Sequence, residues 1–145
     1  MRSSAMRSEW RWPAAALLAE VAAVHIALVP AHLRDAPYAG AVFIALSAAS
    51  IGVALLIAVS DQRRAWAAAG GLAAGALVAY VISRSVGLPM MSDDLGDWLN
   101  PLGIGAVCAE AITVAICSGV LLRPRSVSIQ AARGPRVSPL ASGSA

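Results

Sequence analysis

Four side chains in an otherwise apolar chain have the means to do chemistry: His25, Tyr80, Arg84 and Glu110. Glu110 sits near the middle of Asn100–Leu122, a run long and apolar enough to cross a bilayer. A carboxylate at such a depth has to be neutralised, paired or put to use. Arg84 is the natural counter-charge. At a rise of about 1.5 Å per residue, Glu110 lies roughly 15 Å below the outer end of its helix, and His25 roughly 12 Å below the outer end of its own. Side chains lean toward the N-terminus of their helix. Arg84, on a helix running outward, therefore leans in, and Glu110, on one running inward, leans out. The spacing predicts an Arg84–Glu110 contact with His25 or Tyr80 beside it. Tyr80 and Arg84 are four residues apart and share a face, as do Gly103, Ala106, Glu110, Thr113 and Cys117. This intramembrane polar cluster reads either as a structural ion pair fixing helix register or as a ligand, proton or ion site open to the outer face.

Other chemistries find less support. His25 and His32 lie seven apart on one face and are the only metal-ligand candidates, but a metal site wants further ligands. Met90, Met91, Asp93 or Asp94 would have to supply them, with no fixed-spacing motif. Two histidines on one helix cannot face each other across a haem. Cys108 and Cys117, nine apart, point to opposite sides and read as small buried hydrophobes. Asp93, Asp94 and Asp97 lack calcium-loop spacing and read as a solvated acidic loop. No phosphate loop, nucleotide fingerprint, nucleophile elbow or zinc-protease motif occurs. No catalytic residue is assigned, and no cofactor is expected.

The elements that position the cluster follow from composition. The 145 residues are 59% hydrophobic and 13% charged, about half the charge of a soluble domain. The chain reads as an all-α membrane protein, a four-helix transmembrane bundle. Residues 1–12 form an N-terminal segment, 13–122 the four-span domain, and 123–145 a disordered tail rich in Arg, Ser, Pro and Gly. The spans are 13–33, 39–59, 66–86 and 100–122. Pro13 suits the first turn of the first span, and Pro30 lacks a backbone donor near its outer end. A secretory signal cleaved near Ala31 is the alternative for this span, opposed by its length and by Glu20 within it. Glu20 points about 140° away from His25, so it flanks the interior or marks a contact with another subunit. Ser47, Ala48 and Gly52 on the second span, and Gly71, Gly75 and Ala79 on the third, are small positions suited to close helix packing.

Arginine sets the topology. All eleven basic residues are Arg. Arg2, Arg7, Arg11, Arg63, Arg64, Arg123, Arg125, Arg133 and Arg136 fall in segments that four spans place on one side, and the positive-inside rule makes that side cytoplasmic. Both termini are then cytoplasmic in a multi-pass protein of the cell membrane. Trp10, Trp12 and Trp66 mark the inner interface, Tyr38 and Trp98 the outer one. Nucleic-acid binding is excluded, because no basic stripe interleaves with aromatics.

Several fragments are familiar together: His25 through Pro30-Ala31-His32, Tyr38–Phe43 (YAGAVF), Tyr80–Pro89 (YVISRSVGLP) and Ala109-Glu110. They resemble a group of small four-span integral membrane proteins of high-GC bacteria over most of residues 20–115. The resemblance implies a four-helix membrane fold and no activity. Where that group carries an acid in the first outer loop, this chain has Arg34 followed by Asp35. The expected role is that of a non-enzymatic accessory or interaction component, with the lipid bilayer, a membrane protein or a second copy as partner. The alternative is a small protein that handles a ligand, metal or proton through His25, Arg84 and Glu110.

Overall fold

A computed structural model describes residues 2–60 and 62–123, with side chains from Glu9 onward. The expected disordered tail therefore lies, from residue 124, outside the described residues. Four helices account for most of the chain: α1 (Arg2–Asp35), α2 (Pro37–Val59), α3 (Arg63–Ser85) and α4 (Pro101–Leu121). A short 3-10 turn, Ser92–Asp94, lies in the α3–α4 loop. Each helix is long and apolar enough to cross a membrane, α1 over Glu9–Asp35.

The helices form a ring in chain order. α1 packs most extensively on α2, α3 on α4, and α1 closes the ring against α4, while the α2–α3 seam is the sparsest. Four alternating helices bring both ends of the bundle's chain to one side and leave the α1–α2 and α3–α4 connections at the other.

Local sequence explains the boundaries. α1 does not begin at Pro13; it starts at Arg2 and runs through both Pro13 and Pro30. Residues 2–12 contain neither glycine nor a β-branched residue, so a helix propagates through them, and Pro13 removes only one bond. A single residue, the buried Ala36, separates α1 from α2, and Pro37 opens the next helix with a preset φ. Gly40 makes this tight connection feasible. A Cβ there would sit 2.6 Å from the Leu33 side chain and 2.8 Å from its backbone nitrogen. Asn100 caps α4 by accepting from the amides of Leu102 at 3.1 Å and Gly103 at 3.2 Å, followed by Pro101.

At the end carrying the termini the interior is filled. Trp66 is 0% exposed and packs with Ala14, Leu18, Ala54, Ile57, Ala65, Ala69 and Cys117. The indole was expected at the interface. The first turn of α3 turns it inward instead, where it plugs the space among Leu18, Ile57 and small residues of the four helices. Arg63 Nη2 donates to the Leu121 carbonyl at 2.8 Å, placing a cation on the C-terminus of α4.

The small residues divide by facing. Gly70, not Gly71, meets α4: a Cβ on Gly70 would lie 3.1 Å from that of Cys117. Gly71, Gly75 and Ala79 face outward, as do Ala48 and Gly52. Ser47 is buried, its hydroxyl donating to Phe43 O at 2.7 Å and reaching Ala22 O of α1 at 3.3 Å. Cys117 is buried, whereas Cys108 is exposed rather than interior. Glu20 also lies on the outside of the bundle.

Candidate functional site

The opposite half of the bundle is not filled. A cavity of about 280 Å³ lies between all four helices and the α3–α4 loop. Its walls are mostly aliphatic and aromatic: Leu28 from α1, Val42, Phe43 and Leu46 from α2, Ala76 from α3 and Leu88 from the loop. Its polar groups are the ones singled out by type and spacing. His25, His32, Tyr80, Arg84 and Glu110 all line it, joined by Asp94 and Asn100.

α4 delivers Glu110. Gly103, Ala106, Glu110, Thr113 and Cys117 are all buried, so the face traced by their spacing is the one turned inward. Thr113 spends its hydroxyl on the Ala109 carbonyl at 2.7 Å. Gly103 lets Tyr80 approach, since a Cβ there would lie 3.0 Å from the Tyr80 ring. Glu110 is 2% exposed. Among the described residues it has neither a hydrogen bond nor an ion pair. Among the described residues, the polar side-chain atoms that are fully enclosed and unbonded are Arg11 Nε, Ser50 Oγ and Arg84 Nε. The Glu110 oxygens are not among these, because they border the cavity.

The expected Arg84–Glu110 contact does not form. Arg84 Nη1 instead meets Asp94 Oδ1 at 2.6 Å and the Asp94 carbonyl at 3.0 Å. The guanidinium lies over the Tyr80 ring, 5.0 Å from its centroid. The reason is position. Arg84 is one residue from the end of α3, and the loop doubles back within its reach. Pairing there keeps the charge near the rim, where Asp94 is still 27% exposed; reaching Glu110 would carry it into an apolar interior at a larger desolvation cost. Asp94 is thus a structural partner and not a solvated loop acid.

The loop roofs the cavity. Gly96 N donates to the Arg84 carbonyl at 3.0 Å, Tyr38 from α2 donates to Pro89 O at 2.6 Å, and Tyr80 donates to Trp98 O at 3.2 Å. Gly87 and Gly96 take positive φ of 80° and 78°, which glycine adopts without a steric penalty. Met90 does so at 63° with a side chain, an uncommon conformation for a non-glycine residue, inside the turn closed by Met91 N donating to Leu88 O at 3.0 Å.

α1 contributes the two histidines in one orientation. His25 Nδ1 lies 2.8 Å from Val21 O and His32 Nδ1 2.9 Å from Leu28 O. A carbonyl only accepts, so each Nδ1 carries the proton, and Nε2 is the nitrogen left to work. Phe43 packs against both rings, edge-on to His25 with centroids 5.0 Å apart and tilted on His32 at 4.5 Å. No three His, Cys, Asp or Glu side chains among the described residues are grouped to hold a metal ion.

Three roles are not carried by type and spacing alone: those of Phe43 and Asn100 in the lining, and that of Asp94, a loop acid by its sequence, as the partner of Arg84. Phe43 and Asn100 carried no charge to draw attention, although Asn-Pro before an apolar run is a helix-start signal. Asp94 was legible as an acid ten residues from Arg84, across a glycine-bounded loop short enough to fold back.

No protein-family model matches the chain, and neither a curated protein nor a solved structure resembles it significantly. The site's own chemistry therefore carries the functional reading.

Proposed function

We propose that this is a small four-span protein of the cell membrane, with both termini cytoplasmic, whose cavity takes up a small apolar molecule at the outer end of the bundle. The observation that carries the reading is the cavity itself: about 280 Å³ of mostly apolar space, with a few polar groups converging on it. This is the composition of a small-molecule pocket. Packing one end of a bundle while leaving the other open is costly unless the space is used. The Arg distribution supports the orientation. The lining also reaches the outside between α2 and α3, since Val42 is 57% exposed and Ala79 faces outward. A lipid-soluble molecule can enter sideways through that thin seam.

Two experiments test the reading. Cysteines placed singly at Asp97 and Ser60 should differ in intact cells: a membrane-impermeant maleimide labels position 97 alone, and labelling of position 60 alone overturns the topology. A diazirine-bearing hexanol photolysed in native membranes should attach to the residues lining the cavity, and Ala76→Phe should remove that labelling. Labelling spread evenly over the lipid-facing surface in both proteins would sink the pocket reading.

A second reading, an interaction component acting through a partner or a second copy, draws on Glu20. This carboxylate sits on the outer surface of α1, within the apolar stretch Glu9–Asp35. A charge facing lipid there is expensive, and a neighbouring membrane helix would relieve it. Co-purification of a partner, or a dimer that Glu20→Leu leaves intact while Glu20→Lys disrupts it, distinguishes this reading from a solitary protomer.

A further inference from the structure

We infer that the cavity selects molecules with a cationic head, an apolar body ending in an ammonium group, and that Glu110 is the residue that receives it. The inference rests on the cavity being a ligand pocket and adds the charge of its occupant.

Charge bookkeeping around the cavity leads there. Arg84 and Asp94 cancel each other at the rim through the 2.6 Å pair. The Arg84 Nη1 group is engaged twice by Asp94, and Nε is enclosed, without exposure and without a partner. The guanidinium's face is covered by Tyr80. Arg84 therefore offers an incoming anion little. His25 and His32 have committed their Nδ1 protons to α1 carbonyls and present acceptor nitrogens. Tyr80 donates its hydroxyl proton to Trp98 O, and Tyr38 donates its own to Pro89 O. The two tyrosine hydroxyls and Arg84 Nη1 are thus engaged, and among the lining groups Nε2 of His25, Nε2 of His32 and the Glu110 carboxylate keep free acceptor positions. A carboxylate enclosed by the bundle without a protein partner requires a proton or a cation to balance it. The Phe43 ring among the lining residues adds a surface that cations favour. The apolar walls and the opening along α2–α3 set the remaining chemistry: a body soluble in the bilayer, of a size the 280 Å³ space admits.

The test compares three molecules of one shape and different heads: 4-phenylbutylamine, 4-phenylbutanol and 4-phenylbutanoic acid. Each competes against the diazirine hexanol for labelling of the native protein in membranes. The amine should displace the label at a concentration at least tenfold below that of the alcohol, with the acid weakest. In Glu110→Gln the amine should lose its advantage and fall to the level of the alcohol. An alcohol or acid that competes as well as the amine overturns the charge assignment while leaving the pocket intact. An acid that competes best moves the head to Arg84. Failure of all three to compete in a protein that the label marks at the cavity overturns the assignment as well; failure of the label to mark the cavity overturns the pocket reading beneath it. A second measurement needs no variant. A lipophilic carbodiimide modifies an accessible buried carboxyl, and mass spectrometry reads the yield at Glu110. The amine should slow that modification at least fivefold where the alcohol does not. Equal protection by both, or none by the amine, overturns the inference even if Glu110→Gln does not fold.

Discussion

The two halves of this bundle are made from the same four helices and solve opposite problems. Near the termini Trp66 fills the middle, with Leu18, Ile57 and small residues closing around it. Toward the α3–α4 loop no comparable plug exists among the described residues; rings and carboxylate stand back from a cavity, and the loop covers it. Filling is done by one aromatic at a first-turn position, whereas the open half is held apart by polar groups tied to backbone carbonyls. Stability is therefore expected to concentrate at one end and adaptability at the other.

The sharpest way to break the comparison is to empty the filled half. Trp66→Ala should destabilise the protein by about 3–5 kcal/mol, as loss of a large aromatic from a packed core does, measured by reversible unfolding in mixed micelles. Ala76→Phe, in the wall of the open half, should cost under about 1.5 kcal/mol if the space can absorb the ring. Equal losses would mean that the halves do not differ. Next in size is the hairpin that spans both halves. Gly40→Ala forces a methyl into Leu33 and its backbone, with an expected loss of about 1–3 kcal/mol. Smaller again is the roof. Asp94→Asn should cost about 1 kcal/mol, since one partner is only partly buried, and hydrogen exchange over residues 87–99 should quicken severalfold while the Trp66 region stays protected. The smallest effect separates neighbouring glycines. Gly70→Ala crowds Cys117 and should lower stability by up to about 1 kcal/mol; Gly71→Ala meets open space and should raise it by about 0.5 kcal/mol through helix propensity. The same melting measurements check both.

The four apolar runs were legible because a helix long enough to cross a bilayer must be almost continuously apolar. The inward face of α4 was legible too, since helical spacing fixes which residues travel together, and all five named positions are buried. What spacing could not convey was how far each side chain travels once a loop competes for it. Arg84 had two acids within conceivable reach, and the choice of Asp94 depended on the path of residues 87–96, where two glycines and Met90, all at positive φ, turn the chain. Depth along a helix says nothing of that path. The same holds for Trp66, whose type suits an interface, but whose position in the first turn of α3 is governed by the direction from which that helix enters. Gly70 and Gly71 show the limit most simply: identical neighbours, about 100° apart around the axis, one against Cys117 and one facing away.

The single-residue connection at Ala36 has a consequence for biosynthesis. With Pro37 directly behind it and Leu33 pressed on Gly40, α1 and α2 have no slack between them. If the bundle is inserted in a bilayer, as proposed, neither helix could settle at its own depth; the two would enter as one paired unit, already back to back. An added glycine-serine spacer at position 36 would uncouple their entry, and a lag between the first and second insertion events would then become measurable in force-sensing translation arrest.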